Sequence, residues 1–273
     1  MQITAPPQWQ CIDFISDVHL QPSESLTFET WRSYLCNTQA DAVFILGDLF
    51  EVWVGDDALN DTAGFEQLCA QTLAAAGGRL ALHIMHGNRD FLMGSALMSA
   101  CNATLLSDPC VLDFAGHCWL LSHGDSWCLG DTEYMQFRKR VRSAAWQGAF
   151  LDQPLATRTE AARLIREQSE ARKRIHPGVY ADVDTETSVR FMESLGAQHL
   201  IHGHTHRPAR HPLVGQSERL VLSDWDMRAI PARAEVLRLR RSVDTASTSF
   251  TLERIPPGMA APQRVALTPT PAG

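Results

Sequence analysis

Five short apolar runs punctuate this chain, and each is followed at once by a cluster of Asp, Asn or His, in most cases beside a glycine. The runs are 11–15, 42–46, 80–85, 118–122 and 198–201. The clusters are Asp17-Val18-His19, Gly47-Asp48, Gly87-Asn88-Arg89-Asp90, His123-Gly124 and Gly203-His204-Thr205-His206. Apolar runs of this length match strands buried on both faces. Helix-compatible stretches at 24–37 and 64–76 separate the first three, and this β-α-β-α-β rhythm predicts a sheet that is at least partly parallel. A hairpin is expected over 111–122, ending at His123. Loops converge at the C-terminal ends of strands in open α/β sheets, so all five clusters can meet in one cleft.

The residue types in those clusters suggest what the cleft would hold. Asp, Asn and His together offer hard oxygen and imidazole nitrogen, a mixture suited to two divalent first-row metals side by side. Asp17 and His19 are two apart, so in extended chain they face the same side and can share an ion. Asp48 has two oxygens and can bridge a pair of ions. Asn88 is a neutral oxygen ligand, or a simple turn residue. Arg89 offers a fork for phosphate oxygens, or a salt bridge to a carboxylate such as Asp90. Asp125 could orient a ligand imidazole or cap a turn. Of His202, His204 and His206, alternation cannot decide which two bind metal. The donor set lacks thiolate, which favours Mn²⁺ over Zn²⁺, while Mg²⁺ prefers oxygen alone.

Composition narrows the class. The length of 273 residues with 45% hydrophobic content accommodates one large α/β domain or two small ones. No apolar run reaches the ~18 residues of a membrane span, and Met1 to Gln10 has no basic stretch leading into an apolar core, so a secretory signal is not expected. Seven cysteines, an odd number without a CxxC pair, read as reduced and mostly buried thiols of a cytoplasmic protein. The net charge of −7 argues against a nucleic-acid partner. That charge is unevenly spread: 138–174 carries ten Lys and Arg against four acids. Such a stretch is either a solvated helical face or a platform for an anionic ligand or membrane surface.

The same stretch reads as two helices, 132–150 and 158–175, inserted between His123 and the next strand. We expect a helical cap over 130–180 packed beside the cleft, with Phe137, Val141, Trp146, Phe150, Leu151 and Leu155 as its apolar side. Closing strands are expected at 219–222, 234–239 and, more weakly, 248–254. The proline-rich stretch 256–273 reads as a disordered tail, leaving one domain over 10–255.

Taken together, D-x-H, G-D, G-N-R-D, H-G and G-H-T-H in this order resemble the calcineurin-like metallophosphoesterases, from residue 12 to 207. A narrower resemblance, to the UDP-2,3-diacylglucosamine pyrophosphatase family of the lipid A pathway, rests on ILGDLFEVWVGDD, HGNRDFLMG, SHGDSWCLGD and IHGHTHRP. Arg89 stands where many members of the wider superfamily have His. The resemblance implies a four-layer α/β/β/α metallophosphoesterase core with a helical cap. It implies hydrolysis of the diacylated UDP-sugar to UMP and a lipid sugar phosphate by a hydroxide activated between two metal ions. It also implies peripheral association with the cytoplasmic side of a Gram-negative inner membrane. One metal would be held by Asp17, His19, Asp48 and His206, and the other by Asp48, Asn88, His123 and His204, leaving His202 out. Substrate contacts carry over to Asn88, Arg89, Asp131, Ser169 and His204. Two further cap positions depart from the family pattern and hold Lys173 and His176. Asp48, Asn88 and Arg89 are the expected catalytic residues. Alternatives within reach of the same motifs are a phosphodiesterase or phosphatase acting on soluble nucleotides, and a non-catalytic metal-binding scaffold.

Overall fold

The computed structural model describes residues 1–175, 181–244 and 247–260. Twelve strands and seven α-helices follow along them. They are β1 (Gln2–Thr4), β2 (Cys11–Ile15), α1 (Ser25–Asn37), β3 (Ala42–Leu46), α2 (Phe65–Gly77), β4 (Ala81–Met85), α3 (Ser95–Cys101), β5 (Ala103–Leu106), β6 (Cys110–Phe114) and β7 (His117–Ser122). Then come α4 (Thr132–Val141), α5 (Ala144–Leu151), α6 (Leu155–Ile175), α7 (Thr185–Leu195), β8 (His199–His202), β9 (Ala209–Pro212), β10 (Glu218–Val221), β11 (Val236–Asp244) and β12 (Ser247–Ile255).

Two six-stranded sheets result, in the orders β12-β11-β2-β3-β4-β5 and β1-β6-β7-β8-β10-β9. In the first, β2 through β5 are parallel; in the second, β7, β8 and β10 are parallel. The apolar runs are buried on both faces because each strand feeds two cores. Ile12, Phe14, Phe44 and Met85 of the first sheet meet Leu112, Trp119, Leu121 and Ile201 of the second between the sheets. The alternate residues Ile15, Val43, Ile45 and Ile84 face outward under Trp31, Leu35, Leu73 and Leu97 of α1, α2 and α3. Leu120 and Leu200 face the other way, toward Met192 of α7 and Trp127 of the turn after β7. The order of layers is therefore α/β/β/α.

One buried ion pair ties the first sheet together. Asp13 on β2 accepts two bonds from Arg238 on β11, at 2.7 and 2.8 Å, and further bonds from Tyr34 and Thr38. Removing one partner strands a charge in the core, which costs about 3–5 kcal/mol. Arg238→Met should lower unfolding free energy by that amount, read from urea denaturation; a loss below ~1 kcal/mol would contradict it.

Three expectations need correction. The domain extends past 10–255 at both ends: β1 pairs in parallel with β6, and Pro257–Ala260 forms a 3-10 turn whose Ala260 is buried and accepts a bond from the Gln39 amide. The tail expected from 256 is thus packed as far as 260, and 261–273 lie outside the described residues. The helix expected over 132–150 is two helices. Ser143 breaks it by capping α5, its hydroxyl accepting from the Trp146 amide at 3.3 Å. Five of the seven cysteines are buried and all are free.

Cap helices α4, α5 and α6 lie between β7 and β8 in sequence, and their arginines reach into the core loops. Arg138 donates to Asp125 at 2.7 Å and Arg142 to the Gly87 carbonyl at 2.8 Å. Arg158, almost fully buried, donates to the Val54 carbonyl and to Asp57. Arg166 pairs with Glu51. Arg163 is matched along its own helix by Glu160 and Glu167. The basic stretch is therefore neither a plain solvated face nor, at these positions, a free platform for anions: it stitches the cap to the loops after β3, β4 and β7.

Candidate metal centre

Three parallel strands of the first sheet and two of the second deliver the cleft. Asp17 and His19 follow β2, Asp48 follows β3, and Asn88 and Arg89 follow β4; His123 follows β7, while His204 and His206 follow β8. Local backbone brings five of these residues to the cleft at some cost. Asp17, His19, Asp48, His204 and His206 all have left-handed φ between 51° and 66°. L-residues adopt that region reluctantly, and such strain collects at functional sites.

The side chains form two neighbouring groups. Asp17, His19 and His206 bring ligand atoms within 4.8 Å of one another, and so do Asp17, Asp48 and His123. His19 Nε2 and His206 Nε2 face each other at 3.4 Å, and His206 Nε2 lies 3.2 Å from Asp17 Oδ1. In the second group His123 Nε2 lies 3.1 Å from Asn88 Oδ1 and 3.7 Å from Asp48 Oδ1. The His204 ring lies 5.1 Å from that of His123. The carboxylate common to both groups is Asp17, whereas the resemblance shares Asp48.

Hydrogen bonds behind these side chains set their aim. His123 Nδ1 donates to the Leu46 carbonyl at 2.9 Å, which leaves Nε2 to face the cleft. The amide of His204 donates to Asp17 Oδ2 and that of Arg89 to Asp48 Oδ1, both at 2.9 Å. Asp224, just past β10, lies 3.7 Å behind His206 Nδ1. His202 points elsewhere: its Nδ1 donates to the Gly203 carbonyl. Asp125 does not orient an imidazole. It is buried and accepts from Tyr134 and Arg138. Arg89 bonds Glu51 and lies 3.4 Å from Asp48, so its carboxylate partners are these rather than Asp90. Asp90 instead accepts from the Leu49, Phe50 and Gly87 amides.

Charge in the cluster fits a divalent pair. Burial pushes His204 down to about 4 and His19 well below the usual range, so both are neutral and ready to donate a lone pair. Burial opposes charging His123 and His206 as well, but Asp48 and Asp17 raise the first to about 9 and Asp17 raises the second. The carboxylates thus draw positive charge into a closed site, and cations would satisfy them with the lone pairs of the same imidazoles. Hard carboxylates, an amide oxygen and imidazoles within one small volume are a donor set for such ions.

Gly87 makes the approach of two loops possible. A Cβ there would collide with the carboxylate and amide of Asp48. Gly87→Ala should displace Asp48, lowering turnover about 100-fold through misplacement alone while leaving far-UV circular dichroism unchanged. Wild-type turnover would show that Asp48 has room to shift.

Beside this cluster opens a cleft of about 610 Å³, lined among others by His19, Glu51, Arg89, Arg163, Arg166 and Asp224. Of the expected substrate contacts, Asn88, Arg89 and His204 lie in this cluster. Asp131 is exposed and caps α4 through the Tyr134 amide, and Ser169 is half-buried on α6. Lys173 belongs to the last turns of α6, its side chain outside the description, and His176 lies outside the described residues. Glu51 and Asp224 were not anticipated. Asp224 carries the same signal as the clustered residues, an acid just past a strand end; Glu51 carries none beyond its place three residues after Asp48.

Comparison with known proteins adds three findings. A family model described as calcineurin-like phosphoesterase matches residues 12–208. A protein of Cellvibrio japonicus named UDP-2,3-diacylglucosamine hydrolase is 44% identical over 238 residues, 83% of this chain and 97% of that one. A protein of Pseudomonas aeruginosa with the same name is 43% identical over 219 residues, 78% of this chain and 90% of that one.

Proposed function

The chain belongs to the calcineurin-like phosphoesterases, and from that membership we propose that it hydrolyses the pyrophosphate of UDP-2,3-diacylglucosamine to UMP and 2,3-diacylglucosamine 1-phosphate, a step of lipid A biosynthesis. The observation that carries the substrate is the identity of 43–44% with two hydrolases of that name, over nine-tenths or more of their length. Chemistry in the cleft agrees with an anionic, two-phosphate substrate.

We assign one ion to Asp17, His19, Asp48 and His206 and the other to Asp48, Asn88, His123 and His204, with Mn²⁺ the choice of an oxygen and nitrogen donor set. When bound, such a pair supplies an acidified water and positive charge for the phosphoryl oxygens. The protein's own part is positioning. Arg89 is held by Asp48 and Glu51 at the cleft wall and offers its guanidinium to a phosphate oxygen as charge develops there. Asn88 and His204 face the same space from opposite sheets, so the phosphate is gripped from both. Asp131, Ser169, Lys173 and His176 are assigned to the nucleotide and sugar from the family resemblance. The reacting phosphorus is the uridine-side one, with the lipid sugar phosphate leaving.

The acyl chains are assigned to the cap. Trp146 stacks on Phe150 at 4.7 Å and faces Phe91, while Leu151, Leu164 and Ile165 are exposed. Among the described residues no helix is long and apolar enough to cross a membrane. We place the protein at the cytoplasmic face of the inner membrane, resting on those exposed cap residues and on the exposed Lys139 and Arg140. Co-sedimentation with anionic vesicles tests this, and a protein left wholly in the supernatant at low salt would refute it.

The deciding experiment is turnover of the purified protein with Mn²⁺ and UDP-2,3-diacylglucosamine in ¹⁸O-water. Label is expected in UMP. Label in the lipid phosphate would move the attack to the other phosphorus. No cleavage, with bis(p-nitrophenyl) phosphate still hydrolysed, would refute the lipid substrate.

A further inference from the structure

Glu51 sits where the cap, the phosphate-facing arginine and a metal ligand meet. It follows β3, three residues past Asp48, and is largely buried. Its Oε1 accepts from Arg166 of α6, at 2.8 Å from Nε and 2.6 Å from Nη2. Its Oε2 accepts from Arg89 Nη1 and lies 3.5 Å from His19 Nδ1. His19 turns its other nitrogen, Nε2, toward His206. A histidine whose Nε2 faces a cation while its Nδ1 faces a carboxylate is held in ring orientation and made more basic by that carboxylate.

Both oxygens are therefore committed, one to the cap and one to the core. Two guanidiniums, from α6 and from the loop after β4, thus meet at one carboxylate on the wall of the 610 Å³ cleft. A carboxylate that only neutralised Arg89 would not need to reach α6 or face His19.

We propose that Glu51 is a positioning residue that couples cap docking to the metal centre: it fastens α6 through Arg166 and, with its other oxygen, sets Arg89 and the His19 ring. This rests on the reading of His19 as a metal ligand and of α4–α6 as the cleft's cap. It does not depend on which phosphate ester is cleaved.

The test uses Glu51→Gln, which keeps the shape and removes the charge. Two measurements are made on the full chain without substrate: Mn²⁺ affinity by titration calorimetry, and amide hydrogen exchange over 155–169 in the Mn²⁺-loaded protein. Mn²⁺ affinity should fall about 10–100-fold. Exchange over α6 should quicken roughly tenfold as the charge-assisted bonds to Arg166 are lost. If either quantity stays at its wild-type value, Glu51 does not couple the two parts. If Glu51→Gln fails to fold, Glu51→Asp, which keeps the charge but shortens the reach, is read by the same two measurements with the same outcomes. Because neither measurement involves substrate, a protein inactive on the lipid nucleotide would refute the function proposed above without touching this inference.

Discussion

Asp48→Ala should abolish hydrolysis while sparing the fold: turnover is expected to drop at least ~10³-fold, with circular dichroism unchanged. Asp48 is buried, yet it lies outside the three apolar clusters, so its loss opens no large cavity among them. What disappears is a carboxylate facing His123 at 3.7 Å and accepting the Arg89 amide at 2.9 Å. Both an ion-holding charge and the backbone anchor of the loop after β4 go together. Metal content should fall in parallel, measured by elemental analysis after dialysis. Full turnover with metal lost would mean that the ions assigned here take no part in the reaction.

Arg89 should show the second-largest effect, of a different kind. Arg89→Ala is expected to lower kcat about 10²–10³-fold, the usual loss when one fixed donor to a developing charge is removed. Metal content should stay at the wild-type level, because the guanidinium is paired to Glu51 and placed near Asp48 without being a ligand. Arg89→Lys should recover only part of the loss, since an ammonium restores charge but not the fork. Equal activity of the lysine variant and the wild type would reduce the role of Arg89 to charge alone.

Much of this architecture was legible beforehand, and the gaps have physical causes. β2 and β3 fall on the expected residues because runs buried on both faces leave a signal independent of their partners. The ligand clusters could be found for a related reason: Asp, Asn and His beside glycine at a strand end are costly unless they do something. β1 was missed because three residues carry no period, and its stability comes from pairing with β6 more than a hundred positions away. The 3-10 turn at Pro257–Ala260 was hidden by its prolines, though its contacts are with α1. Charges were the hardest to read. Arg163 and Arg166 stand three apart on α6, a spacing that does not reveal that one is matched along its own helix while the other crosses to Glu51. Ion pairs between distant segments exist only once the fold has brought them together. Asp224, by contrast, obeys the strand-end rule and was overlooked only because no recognised motif surrounds it.

Five of the residues assigned to the ions hold a backbone shape that glycine would adopt for nothing and that costs any other L-residue about 1 kcal/mol. A selection scheme that rewards heat resistance alone would therefore drift toward glycine at 17, 19, 48, 204 and 206, hardening the scaffold while emptying it of purpose. Engineering a tougher version has to leave those five places frustrated and look for its gains elsewhere.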